Sequence, residues 1–148
     1  MWQRRTLVPS SNNQAVADVA SSELGGVRVL VVEDALHLAS ALKGLLERVG
    51  VEVVGPVATV SEAKHLAAAR MAQVAVVDVK LRGESADGLI DTMHSRGVPV
   101  IVVSGYPVPP RLAEKTVAIL QKPFFSGPQL VAAVQQAVRM GRAANQQI

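Results

Sequence analysis

The chain has 148 residues, 49% hydrophobic and 18% charged, which is the balance of one domain with its own core and leaves no room for a second. Zero cysteines exclude disulfide frameworks, thiolate zinc sites and a thiol nucleophile, so a cytoplasmic setting is the default expectation. The net charge of +3 is spread out, with 12 Lys/Arg against 10 Asp/Glu over residues 27–140 and 3 against 2 in the flanks; with four aromatics in all there is neither a basic stripe nor a stacking platform, and no direct DNA binding is expected.

The first 26 residues are polar, rich in Ser, Asn and Gln, and end at Gly25-Gly26. They read as a flexible leader carrying at most a short helix around Ala15 to Leu24. Arg4 and Arg5 are not followed by the apolar run of a signal peptide. From Val27 the texture changes to short Val/Ile/Leu runs alternating with Ala/Leu-rich segments at helical spacing, the pattern of strand–helix–strand units around a parallel sheet. Strands are predicted at Arg28 to Val32, Glu52 to Val57, Val74 to Asp78, Val98 to Val103 and Val117 to Leu120. The longest apolar run, near Val98 to Val103, is strand length and cannot span a bilayer, so no membrane partner is expected.

Leu38, Leu42, Leu45 and Val49 make one apolar stripe for a first helix stopping near Gly50. Ser61 is the predicted cap of a second helix to about Arg70, and a third runs from about Asp87 to Arg96. Pro107, Pro109 and Pro110 leave only Arg111 to Lys115 for a stunted fourth helix. Ser126 and Gln129 form a capping box for the last helix, predicted to end near Arg139, with residues 141–148 as a tail. His37, His65 and His94 have no metal-ligand spacing, and there is no Gly-x-Ser-x-Gly elbow, so zinc hydrolases and Ser-centred triads are disfavoured.

In an open parallel sheet, ligands bind outside the carboxyl ends of the strands where strand order reverses. Four of the five apolar runs end in a polar group: Glu33-Asp34, Asp78, Ser104 and Lys122. Each alone has a plain explanation: Asp34 as a helix cap, Ser104 as a turn residue before Gly105, Asp78 and Lys122 as ordinary strand exits. Their placement at four strand ends in chain order is what points to a site. Three clustered carboxylates repel one another beyond what one lysine can neutralise, and a hard divalent cation, Mg²⁺ best of all, is the natural complement. Such a cation leaves coordination positions for phosphate oxygens, and an Asp beside it can attack phosphorus and form an acyl phosphate.

Val29-Leu30-Val31-Val32-Glu33-Asp34, Val76-Val77-Asp78, Val102-Val103-Ser104-Gly105-Tyr106 and Gln121-Lys122-Pro123-Phe124 resemble the receiver domain of bacterial two-component response regulators over roughly residues 27–140. The resemblance implies a flavodoxin-like α/β fold, a doubly wound five-stranded parallel sheet of order 2-1-3-4-5. It further implies Asp78 as phosphoacceptor, Glu33 and Asp34 as the acidic pair organising Mg²⁺, and Lys80 as the residue lending its backbone carbonyl to the metal. Ser104 would be the switch hydroxyl, Lys122 the phosphate partner, and Pro123 the cis proline that follows it. Ile119 stands where the family usually has an aromatic switch residue, while Tyr106 sits two positions past Ser104. The loop Leu81 to Gly88 is longer than usual, and with Ser104-Gly105-Tyr106 it is similar to the subgroup whose fourth strand ends in Phe-Ala-Thr-Gly before Gly or an aromatic, with Val102 and Val103 in place of Phe and Ala.

The leading expectation is therefore a stand-alone signalling switch that takes a phosphoryl group from a sensor histidine kinase or histidine phosphotransferase and acts through protein contacts; nine residues after Arg139 hold no output domain. A homodimer through the fourth helix, fifth strand and fifth helix, or through the last helix, is left open. Two alternatives stand beside it: a phosphohydrolase of the haloacid dehalogenase type, which usually needs a second Asp at the position of Lys80, and a pseudo-receiver that only binds partners. Lys80 and Tyr106, each two residues past a site residue, are expected to border the approach of hydrolytic water.

Overall fold

A computed structural model describes residues 19–122 and 125–146. The elements run β1 (Arg28–Val32), α1 (Leu36–Glu47), β2 (Glu52–Val57), α2 (Val60–Ala69), β3 (Val74–Asp78), β4 (Lys80–Leu81), β5 (Glu84–Ser85), α3 (Asp87–Ser95), β6 (Val100–Ser104), α4 (Pro110–Ala113), β7 (Ala118–Gln121) and α5 (Gly127–Gln146). The main sheet has order β2-β1-β3-β6-β7, all pairs parallel. With the small β4-β5 hairpin set aside, this is the 2-1-3-4-5 order implied by the sequence.

Side chains alternate faces along a strand, and the sheet uses both faces. Val29, Val31, Val74, Val76, Ile101 and Val103 point to one layer, where Leu42 and Leu46 of α1 and Leu130, Val134 and Ala137 of α5 cover them. Leu30, Val32, Ala75, Val77, Val100 and Val102 point to the other, under Ala63 and Ala67 of α2 and Leu89, Ile90 and Met93 of α3. β3 and β6 are buried along their whole length, which is why they read as unbroken apolar runs.

Several boundaries differ from the sequence reading. Residues 19–24 are helical, within the short helix expected around Ala15 to Leu24, but Ala20 and Leu24 are buried, so this end of the leader 1–26 is packed against the domain rather than flexible. Glu23 holds this segment on α5, accepting from Arg139 at 2.7 and 2.9 Å and from Gln135 at 3.2 Å. α5 continues past Arg139, where Arg142 Nη2 donates to Glu23 O at 3.4 Å, and the segment 141–146 is helix rather than tail. The α2 cap is Thr59, not Ser61: its Oγ1 accepts from Glu62 N at 3.2 Å and donates to Glu62 Oε1 at 2.9 Å. The predicted box at Ser126 and Gln129 is present in both directions, at 2.7 and 3.2 Å. Gly50 ends the first helical stretch with φ +90° and approaches Gly25 so closely that a Cβ would sit 3.1 Å from its Cα. α4 is a single turn opening on Pro110, which has no N–H to lose there.

The longer loop after Asp78 is not irregular. It forms the β4-β5 hairpin, closed by Arg82 (φ +39°) and Gly83 (φ +84°), a two-residue turn with both φ positive. Leu81 is fully buried and anchors it in the core.

Candidate functional site

The carboxyl ends of β1, β3, β6 and β7 bring the sequence-selected residues together. β1 and β3 are adjacent, in register from Val29–Val74 to Val32–Val77, so Glu33 and Asp34 emerge beside Asp78. One carboxylate oxygen from each of Glu33, Asp34 and Asp78 lies within 4.8 Å of the others. Lys122, just past the end of β7, reaches in with Nζ 2.8 Å from Asp78 Oδ2 and 3.0 Å from Glu33 Oε1. Its backbone N–H donates to Ser104 O at 2.8 Å, so the lysine is held by β6 while its ammonium bridges carboxylates from β3 and the β1 exit.

Glu33 and Asp78 are 3% and 6% exposed, and Asp34 lies at the rim. Burial pushes the Glu33 carboxyl up to about 7, reinforced by the negative charge of Asp78 and opposed by the Ala35 N–H and Lys122. Burial alone would lower the Lys122 ammonium, yet Asp78 and Glu33 outweigh it and hold that group above its ordinary value. The remaining lone pairs are partly used: Ala35 N donates to Glu33 Oε2 at 3.1 Å, Lys80 N to Asp78 Oδ1 at 3.1 Å and Arg82 N to Asp34 Oδ2 at 2.9 Å. Glu33 Oε1 is buried and, despite the nearby ammonium, has no aligned hydrogen bond. A buried carboxylate oxygen without an aligned donor, beside two further carboxylates, is a donor set that fits a hard divalent cation.

Ser104 is 4% exposed and closes a tight turn with the residue two ahead: its Oγ donates to Tyr106 O at 2.7 Å and accepts from Tyr106 N at 3.0 Å. Its hydroxyl is thus engaged with the β6–α4 loop. The Tyr106 ring is exposed and carries the Lys80 ammonium 4.2 Å from its centroid, so the two residues expected to flank the phosphoryl approach meet each other there. Pro123 lies outside the described residues. His37, His65 and His94 are exposed on α1, α2 and α3 and are not part of the acidic cluster, although His37 lines a cavity that Lys122 also borders. Arg82 was missed by the sequence reading. The signal available was Arg82-Gly83, a turn dipeptide inside the long loop after the candidate nucleophile.

The β4-β5 hairpin and the β6–α4 loop leave a cleft between them, lined by Lys80, Glu84, Ser104, Tyr106, Pro107 and Leu112 among others. α4 is tied to α3 by Arg111–Asp87 at 2.5 Å and Lys115–Asp91 at 2.6 Å.

No family model matches the chain. Among solved structures, it is similar to the response regulator PhyR from Brucella abortus, with a TM-score of 0.73 and 26% identity over 88% of this chain and 55% of that one. It is also similar to a CheY-like response regulator receiver domain protein from Methanospirillum hungatei, with a TM-score of 0.72 and 22% identity over 81% of this chain and 99% of that one. The chain has the receiver fold of response regulators. A curated relative, the phyllosphere-induced regulator PhyR of Methylorubrum extorquens, is 29% identical over 106 residues, which is 70% of this chain and 38% of the relative. The chain therefore spans little more than half, or less, of the PhyR proteins it matches, whereas it spans nearly all of the receiver domain from Methanospirillum. Within the receiver, the acidic cluster occupies the switch point between β1 and β3, where sheets of this order bind their ligands.

Proposed function

We propose that the chain is a phosphorylation switch in which Asp78 accepts a phosphoryl group from a phosphohistidine of a sensor histidine kinase or histidine phosphotransferase. The observation that carries this reading is the Lys122 ammonium bridging Asp78 and Glu33, with Asp34 completing the acidic trio. An Asp78 carboxylate oxygen forms the new P–O bond as the P–N bond of the donor breaks, and the imidazole, protonated on its other ring nitrogen beforehand, leaves as the neutral base. Lys122 then turns from the carboxylate to the phosphoryl oxygens as a point charge. Glu33, Asp34, Asp78 and the Lys80 carbonyl would hold Mg²⁺, which when bound supplies neutralising charge to the phosphoryl oxygens. The Ser104 hydroxyl, by exchanging Tyr106 O for a phosphoryl oxygen, transmits the event to the β6–α4 loop.

Signalling then proceeds through altered contacts with a downstream protein. Among the described residues no helix is long and apolar enough to cross a membrane. The phosphohydrolase alternative needs a second acid at position 80, where the chain has Lys80 with its ammonium on the Tyr106 ring. Incubation with acetyl phosphate and MgCl2 is the test: wild type takes up acid-labile, hydroxylamine-sensitive label in stoichiometric amount, and Asp78→Asn takes up none. Catalytic turnover of phosphate would indicate the phosphohydrolase, absence of label the pseudo-receiver, and label on Asp78→Asn another acceptor.

A further inference from the structure

Asp34 is the most open of the three carboxylates, and the group facing it is part of the hairpin rather than of the receiver sheet. The backbone N–H of Arg82 donates to Asp34 Oδ2 at 2.9 Å, and the Arg82 Nε lies 3.9 Å from the same oxygen. This placement is built in. The turn at Arg82-Gly83 has both φ positive, Leu81 is fully buried beneath it, and Glu84 on the returning strand accepts from Val60 N at 2.9 Å, so the hairpin is fastened at its root and to the start of α2. A positive group is thereby held at one corner of an acidic cluster in which the buried Glu33 Oε1 has no aligned donor.

We propose that Arg82 is a resident counter-charge for Asp34 that weakens divalent-cation binding at the cluster, making the β4-β5 hairpin a positioning element that sets the affinity of the site. This rests on the reading of the cluster as a cation site. A cation ligated by Asp34 shares that carboxylate with the Arg82 amide and meets the repulsion of its guanidinium. Because the side chain is 69% exposed, the electrostatic part is that of a surface contact, about two- to fivefold in affinity, and is screened by salt. Cation binding should be felt along the hairpin, at the Arg82 and Val60 amides that donate to Asp34 and Glu84.

Isothermal titration with MgCl2 at low ionic strength, on wild type, Arg82→Ala and Arg82→Lys, tests this. All three residues carry a Cβ, so the cost of the positive φ is common to the series. The expected result is tighter binding in Arg82→Ala by about two- to fivefold, near wild-type binding in Arg82→Lys, and convergence of the three at high salt. Amide resonances of Arg82 and Val60 should shift on MgCl2 addition in all three. Equal or weaker binding in Arg82→Ala, or equal tightening in Arg82→Lys, overturns the role of Arg82 and leaves the cation site standing. Heat from none of the three, with no amide shifts, overturns the cation site and this inference together.

Discussion

The raised Glu33 carboxyl predicts an unusual direction of pH dependence. Its ordinary value is 4.5 and burial takes it to about 7, so between these limits the native state holds a proton that the unfolded chain has released. Stability from this group is therefore fully present below about pH 4.5, declines as pH rises, and is lost above about 7. The displacement corresponds to about 3 kcal/mol, a large share of a small domain's total. Urea denaturation at a series of pH values, in the absence of divalent cations, should show midpoints falling from pH 5 to 7.5 in wild type, with much of the slope removed in Glu33→Gln. Adding MgCl2 at about 100 times its dissociation constant should restore about 2.7 kcal/mol above pH 7, where Glu33 is ionised and able to share a cation, and less at pH 5. A cation-free wild-type profile that is flat or rising across this window, or an identical slope in Glu33→Gln, would refute the assignment of a buried, proton-holding carboxyl.

Leu24 is fully buried against α5, and Leu24→Ala should destabilise by about 2–5 kcal/mol in urea unfolding, whereas a change below about 0.5 kcal/mol would return residues 19–26 to the status of a leader. Tyr106→Ala removes a cation–π contact worth about 0.5–1 kcal/mol together with the bulk bordering the phosphoryl approach, and should speed loss of phosphate from the labelled protein by about two- to fivefold; a rate equal to or below wild type shows that water access is not limiting. Hydrogen exchange over Tyr106 to Lys115 should slow on addition of beryllofluoride, because α4 is one turn with a single buried side chain, Leu112, and this segment meets α3 through ion pairs at or near the surface, Arg111–Asp87 and Lys115–Asp91. Unchanged protection removes this segment from the switch.

The parts of the fold that could be read from residues alone were those governed by burial on both faces. β1 and β3 match their predicted bounds to the residue, since short apolar runs buried on both faces and bounded by turn residues allow few other placements; β2 matches as well, although it is an edge strand, mostly half-buried and interrupted by Gly55-Pro56. β6 begins two residues later than its apolar run, because Val98 and Pro99 belong to the turn after α3. The hairpin escaped because four strand residues carry no periodic pattern, and its determinant is the conformation of Arg82 and Gly83, a matter of backbone rather than hydropathy. The extension of α5 escaped for the complementary reason: residues 141–146 carry no large apolar side chain to continue the stripe, and the contact they make with Glu23, from Arg142, is to a residue more than a hundred positions earlier in the chain. The convergence of Glu33, Asp34, Asp78 and Lys122 was accessible because strand order converts four sequence positions into one locale.

Chain order placed the charges, but not what the uncharged groups around them do. Ser104 sits at the strand end where a hydroxyl was sought, yet both its donor and acceptor capacity are spent on the Tyr106 backbone. A buried hydroxyl loses about 1 kcal/mol when one such bond is given up, so a phosphoryl oxygen at Asp78 has to offer a stronger, charge-assisted bond to draw it away. That exchange has a consequence on the far side of the loop, because Tyr106 O, released from Ser104, is an acceptor at the edge of the cleft under Lys80 and must find water or a new donor. On the proposed switch the turn at Ser104 opens when the hydroxyl leaves, and the adjoining single-turn α4, with Leu112 as its buried side chain and ion pairs Arg111–Asp87 and Lys115–Asp91 to α3 beside it, is placed to follow. The aromatic residue displaced with the loop in the proposed switch is Tyr106, through its backbone. Ile119, on β7 at the position where the resemblance leads one to expect an aromatic, is 44% exposed and has no polar side-chain atom with which to take part.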